Sequence, residues 1–192
     1  MNDEINVFPK SYNKILEATT ELGFNQLSDG KIGSLLSTLC ASKVNGLFLE
    51  LGTGTGLCTS WMLQGMCKSS KLITVDNEKT LVEIAKKYLG KDPRVEFVIS
   101  NGEELIEKSA PSSVDLIFAD TWPGKYNHLE EALNLLKVGG IYVIDDMLPQ
   151  ESWPEGHEDK ATELVKNLTA RKNYTFTKMR WSTGLMVCVR TS

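Results

Sequence analysis

Five apolar runs, GLFLEL (46–51), KLITVD (71–76), RVEFVI (94–99), SVDLIFAD (113–120) and GIYVID (140–145), recur along the chain with helix-period segments between them. A near-continuous apolar run of this length suits a strand covered on both faces better than one with a wet side. Strands of that kind alternating with helices build a parallel sheet with helices on either side. Two further runs, TFTKM (175–179) and GLMVCV (184–189), stand only a few residues apart. That spacing suits a hairpin and is too short for a parallel crossover. The expected fold is therefore α/β, a doubly wound, mostly parallel seven-stranded sheet with one antiparallel strand in a C-terminal hairpin.

The helices follow from period 3.6. Two come before the sheet, near 10–22 and 30–41, the second with Ser28 or Asp29 as N-cap. Tyr126, Leu129, Leu133 and Leu136 fall on one helical face, as do Ala161, Leu164, Val165 and Leu168. Asn101 with Glu104 resembles a capping box opening a helix at 101–108. The Pro and Gly cluster at 149–156 reads as a long loop. One domain is expected over 1–192, with N-terminal helices (1–42) covering the active site and a sheet core at 46–192.

Charge narrows the partners. Lys and Arg number 21 against 25 Asp and Glu, a net charge of -4, which gives no broad attraction for phosphate backbones or anionic lipid. Nucleic acid and membrane are not expected partners. The opening MNDEINVFPK lacks the basic start and apolar stretch of a signal peptide, so a cytoplasmic monomer or homodimer is expected. Cys40, Cys58, Cys67 and Cys188 show no C-x-x-C spacing and read as buried free thiols.

The strongest local signal is Glu50-Leu51-Gly52-Thr53-Gly54-Thr55-Gly56, where the first strand gives way to its crossover helix. Glycines there let the backbone turn tightly and approach a ligand. Asp76 ends the second strand, where a carboxylate can accept hydrogen bonds from ribose hydroxyls. Together they predict a nucleoside-containing ligand. The G-x-G-x-G spacing departs from the G-x-G-x-x-G of dinucleotide sites, and Glu50 beside the loop would repel a pyrophosphate. It tolerates an ammonium. S-adenosylmethionine, which carries adenosine, a carboxylate, an ammonium and a sulfonium, suits this loop better than NAD.

ELGTGTG, TVD, the strand-end FAD and IYVIDD resemble the class I S-adenosylmethionine-dependent methyltransferases, with their Rossmann-like fold. Phe118 to Tyr126, FADTWPGKY, is similar to the corresponding stretch of the catechol and caffeoyl-CoA O-methyltransferases. The resemblance, from about 26 to 146, implies S-adenosylmethionine as cofactor and S-adenosylhomocysteine as product. It implies Glu50, Gly52, Gly54 and Gly56 at the methionyl part, with Cys58 where that family often has Ser. Asp76 falls at the ribose, Gly102 and Glu103 near the adenine, and Trp122 beside it; Asp120 also belongs to the cofactor set.

Asp120 and Asp145 each end a strand, and neighbouring strand ends can bring two carboxylates onto one small cation such as Mg²⁺. The resemblance adds Asp146 as a third ligand, where the family usually has Asn. Pro123 replaces the family's catalytic Lys, and Lys125, two residues on, is expected to point elsewhere. Asp146 is then the first candidate for the base, with Asp120 or His157 as others, and both a metal-assisted and a metal-free reaction stay open. Trp122, Met147, Leu148, Trp153 and Trp181 offer an apolar wall for the ring of a small aromatic acceptor. The competing readings are an NAD(P)-dependent oxidoreductase and a non-catalytic adenosine-binding module.

Overall fold

A computed structural model describes residues 3–5, 7–150 and 153–192. Positions 151 and 152 of the loop read at 149–156, and positions 1, 2 and 6 of the opening segment, lie outside the described residues. The chain divides into two compact units, one ending at Asn101 and one from Gly102 to Ser192. The strands belong to a seven-stranded, mostly parallel sheet.

The first unit contains α1 (Tyr12–Glu21), α2 (Gly30–Ala41), β1 (Leu47–Leu51), α3 (Leu57–Gly65), β2 (Lys71–Asp76), α4 (Lys79–Leu89) and β3 (Val95–Ile99). Its strands run parallel in the order β3-β2-β1. Asp29 rather than Ser28 caps α2, its carboxylate accepting from the Lys31 amide at 2.9 Å. Every residue of α3 from Leu57 to Leu63 is buried, as expected of a helix enclosed on all sides rather than an amphipathic one. Gly65 at its end allows α2 to come close: a Cβ there would lie 1.9 Å from the Ser37 carbonyl oxygen.

The second unit contains α5 (Gly102–Lys108), β4 (Val114–Ala119), α6 (Leu129–Leu135), β5 (Leu136–Ile144), α7 (His157–Thr169), β6 (Tyr174–Met179) and β7 (Leu185–Arg190). The order is β4-β5-β7-β6, with β4 and β5 parallel and β7 antiparallel to both neighbours. The single reversed strand is thus β7. One boundary differs from the sequence expectation. Leu136 opens β5 instead of closing α6, and Tyr126 sits in a turn before α6. Leu133 and Leu136 are both buried, so the apolar pattern continued past the point where the backbone changed type. Among the described residues, no helix is long and apolar enough to cross a membrane.

Candidate active site

In the first unit the chain leaves β1 through a loop held to β2 by its own backbone. The amides of Gly52 and Thr53 both donate to the Val75 carbonyl, at 2.9 and 3.1 Å. Asp76 ties the loop further, its Oδ2 accepting from the Gly54 amide at 2.8 Å and its Oδ1 from the Glu78 amide at 2.9 Å. Each oxygen keeps a lone pair for a further donor. Gly56 has φ +93°, and a Cβ there would stand 2.8 Å from the Ala85 Cβ, so only glycine lets α3 begin against α4. Cys58 lies buried in the first turn of α3.

Glu50 is fully buried on β1. Its Oε2 accepts from the hydroxyls of Thr59 and Thr74, each at 2.6 Å. With Thr74 donating there, the 2.6 Å contact between Thr53 and Thr74 is donated by Thr53. Oε1 is buried with no hydrogen-bond partner among the described residues. Burial raises the carboxyl to about 7, the two threonine hydroxyls oppose the rise, and the nearby Asp76 charge adds to it. A buried acceptor without a donor costs about 1–3 kcal/mol, and a ligand ammonium is the group that would satisfy it.

The acidic strand ends lie in the second unit. Asp120 follows β4 and Asp145 follows β5, and the Asp145 amide donates to the Ala119 carbonyl at 3.2 Å, which keeps the two ends adjacent. Asp145 is 2% exposed. Its Oδ1 accepts from the Thr183 hydroxyl and from the Asp146 amide. Burial, then the Asp146 charge, raises the Asp145 carboxyl. Asp146 has φ +55°. Among the described residues, no group of three His, Cys, Asp or Glu side chains is arranged to hold a metal ion. The expectation that Asp120, Asp145 and Asp146 converge as a three-carboxylate cluster is thus not met.

A cation of the chain's own occupies this end of the sheet. Lys125 is 5% exposed, and its Nζ donates to the Asp145 carbonyl oxygen at 2.8 Å. The sequence expectation that Lys125 points away is corrected here. Pro123 and Gly124 make a turn, not a helix start: the Gly124 amide bonds the Asn127 carbonyl, and the amides of Lys125 and Tyr126 fold back to the Trp122 carbonyl. The turn swings Lys125 inward. Tyr142 on β5 donates from its hydroxyl to the Gly124 carbonyl and pins the turn from below.

The same turn carries an aromatic group that gathers around the first residue of α7. The His157 ring stacks on Trp153 with centroids 4.2 Å apart and planes at 14°. It stands edge-on to Trp122 at 5.8 Å and to Tyr126 at 5.1 Å. Tyr126 Oη lies 2.9 Å from His157 Nε2. Lys160 Nζ sits 4.2 Å over the Trp122 ring, which is itself 44% exposed.

The sequence-predicted residues thus fall into two sets. Glu50, Gly52, Gly54, Gly56, Cys58 and Asp76 belong to the first unit; Gly102, Glu103, Asp120, Trp122, Asp145, Asp146, Met147, Trp153, His157 and Trp181 belong to the second. Glu103 opens α5 and accepts from Asn127 at 2.9 Å. Met147 and Leu148 are held by backbone bonds to Gly184 and Thr183, at 3.0 and 2.9 Å. Trp181 is half-buried in the segment before β7. Sequence reading missed Thr59 and Thr74 around Glu50, Thr183 at Asp145, and the pairing of Tyr126 with His157. A Pro-Gly pair ahead of Tyr126 was the available signal that the helix had not begun. Thr183 left none, being 38 positions from Asp145. The thiol expectation holds for Cys40, Cys58 and Cys188, which are buried and in no disulfide, but not for the half-buried Cys67. Hydrogen bonds from Ser69 and Ser70 pull the Cys67 thiol down to about 6.

Comparison with known proteins gives the same architecture. A crystal structure of a Corynebacterium glutamicum protein matches with a TM-score of 0.83 at 22% identity, covering 95% of this chain and 90% of that one. The O-methyltransferase TomG of Streptomyces achromogenes, involved in tomaymycin synthesis and solved with S-adenosylmethionine, matches at 0.82 and 21%, with coverage of 95% and 90%. An O-methyltransferase of Bacillus cereus solved with S-adenosylhomocysteine matches at 0.82 and 17%, covering 98% and 94%. Among curated proteins, one of Mycobacterium ulcerans named for O-methyltransferase activity is 31% identical over 118 residues, 59% of this chain and 53% of the relative. The chain spans about half the length of the curated relatives it matches. The O-methyltransferase family model covers residues 11–188, and the chain belongs to that O-methyltransferase family.

Proposed function

We propose that this protein transfers the methyl group of S-adenosylmethionine to a hydroxyl of a small aromatic molecule, with no divalent ion at the Asp120–Asp145 end of the sheet. The observation that carries the cofactor is the unpartnered Oε1 of Glu50, buried beside a glycine loop. An ammonium supplies donors to that oxygen; a pyrophosphate would meet a carboxylate. Asp76 keeps lone pairs for ribose hydroxyls while holding the Gly54 amide.

When bound, S-adenosylmethionine supplies an electrophilic methyl on a sulfonium. The chain's residues bind and orient it, and they take the acceptor's proton. Trp122 and Trp153, with Met147 and Trp181, are the candidates to flank a planar ring, since aromatic faces offer large contact area with few rotatable bonds. The Lys125 ammonium supplies positive charge beside Asp145, which is the electrostatic service a metal would otherwise give.

Calorimetric titration with S-adenosylmethionine, S-adenosylhomocysteine and NAD tests the cofactor. Micromolar binding of the first two and none of NAD is expected; NAD binding without the sulfur ligands would return the oxidoreductase reading. Radiolabelled methyl transfer to a panel of phenols, catechols and amines tests the acceptor. Cofactor binding with no transfer across the panel would favour the non-catalytic adenosine-binding module.

A further inference from the structure

We propose that Tyr126 and His157 together take the acceptor's proton: the Tyr126 hydroxyl meets the acceptor's hydroxyl, and His157 Nε2 finishes with the proton. This rests on the O-methyltransferase reading above. The pair is built for one task. His157 is buried at the start of α7, with one face covered by Trp153 and its edge toward Trp122. Tyr126 is half-buried, so it is the end of the pair that a ligand reaches first. Their polar atoms lie 2.9 Å apart, within the range for direct proton transfer. His157 Nδ1 is buried with no hydrogen-bond partner among the described residues. The ring's hydrogen bond is therefore the one through Nε2, the nitrogen that faces Tyr126.

Burial first, then the Lys125 charge and, more weakly, that of Lys160, oppose protonation of His157; Asp146 favours it without overcoming them, and the pKa is lowered. The ring is therefore neutral near pH 7, and the relay uses the tautomer with its hydrogen on Nδ1, in which Tyr126 donates to Nε2. Burial, then the Asp146 charge, holds the Tyr126 phenol up at about 12. A resident phenolate is thereby disfavoured, and the tyrosine works by passing one proton on as it receives another. As the acceptor oxygen forms its bond to the methyl carbon, the carbon–sulfur bond breaks and its electron pair stays on sulfur. The acceptor's proton moves to Tyr126 Oη, and the tyrosine's own proton moves to His157 Nε2. One positive charge leaves the sulfonium and one appears on the imidazolium, so the site's charge is conserved. The imidazolium then returns its proton to solvent.

The test uses the full chain with His157→Gln and Tyr126→Phe. S-adenosylhomocysteine affinity within about threefold of wild type in both variants shows that each is folded. Methyl transfer is measured at pH 7.5 to catechol, which is protonated, and to 4-nitrocatechol, which is largely ionised. Losses on the order of 100-fold are expected with catechol, and less than about fivefold with 4-nitrocatechol, which needs no base. Equal losses on both acceptors would reduce the pair to a positioning role and overturn the proposal. Nitrogen-15 NMR of the cofactor-free wild type gives an independent reading: His157 Nε2 is expected to lack a proton at pH 7.5, and a protonated Nε2 would overturn the relay. If wild type transfers to neither acceptor while binding S-adenosylhomocysteine, the aromatic-acceptor reading falls and takes this proposal with it.

Discussion

Replacing Glu50 by Gln should move stability and cofactor affinity in opposite directions. The wild-type carboxyl is held near 7 in the folded protein against a reference of 4.5, so it binds its proton more tightly folded than unfolded. The stabilisation this gives is complete below the unfolded value and is lost as pH rises through the folded one. At about 1.4 kcal/mol per tenfold change in proton affinity, the loss reaches about 3 kcal/mol at alkaline pH. About 2.5 kcal/mol of it falls between pH 5 and 8.5. Gln keeps an oxygen for Thr59 and Thr74 but does not titrate. Urea unfolding of the cofactor-free proteins across that range should show wild type falling relative to Glu50→Gln by about this amount. Calorimetry at pH 8 should meanwhile show the variant binding S-adenosylhomocysteine roughly 10- to 100-fold more weakly, the worth of a charge-assisted hydrogen bond of about 1.5–3 kcal/mol. Parallel unfolding curves would refute the buried-carboxylate argument. Undiminished affinity would refute the ammonium contact.

Three further outcomes are expected. Asp76→Ala removes the tether to the Gly54 amide and the proposed ribose acceptor together, and should weaken S-adenosylhomocysteine binding by at least about tenfold, measured by calorimetry. Gly65→Ala forces a Cβ to within 1.9 Å of the Ser37 carbonyl and should cost roughly 1–3 kcal/mol or more in urea unfolding while leaving the pH profile of activity unmoved. Exhaustive chelation should leave methyl transfer by wild type unchanged, and added Mg²⁺ should not raise it; restoration of lost activity by Mg²⁺, abolished in Asp145→Ala, would return the metal to the acidic strand ends.

How much of this was legible beforehand depends on the range over which each feature is encoded. The strands and the glycine loop were readable because burial on two faces, tight turns and caps are written in consecutive residues. Asp29 could be named as one of two caps for the same reason. The start of β5 was misplaced because Leu133 and Leu136 continue an apolar period across a change of backbone. At the site, Glu50 and Asp76 were found by spacing, whereas the geometry of Lys125 hung on a Pro-Gly turn that reverses the direction of the side chain after it. The hydrogen bond of Lys125 to the Asp145 backbone carbonyl and the pairing of Tyr126 with His157 join residues 20 and 31 positions apart. Such contacts exist only once the turn, β5 and α7 have found their places.

The bonds from residues 183 and 184 to Asp145, Met147 and Leu148 also bear on the order in which the molecule matures. Residues 145–150, just after β5, have no helix or strand of their own, and Asp145, Met147 and Leu148 are held by a turn made nearly forty residues later in synthesis. Because β7 pairs antiparallel with β5 on one side and β6 on the other, that turn is fixed only after the last two strands have closed. A ribosome-bound chain ending before β7 would therefore still lack the bonds that shape residues 145–148, and with them the acceptor side proposed above.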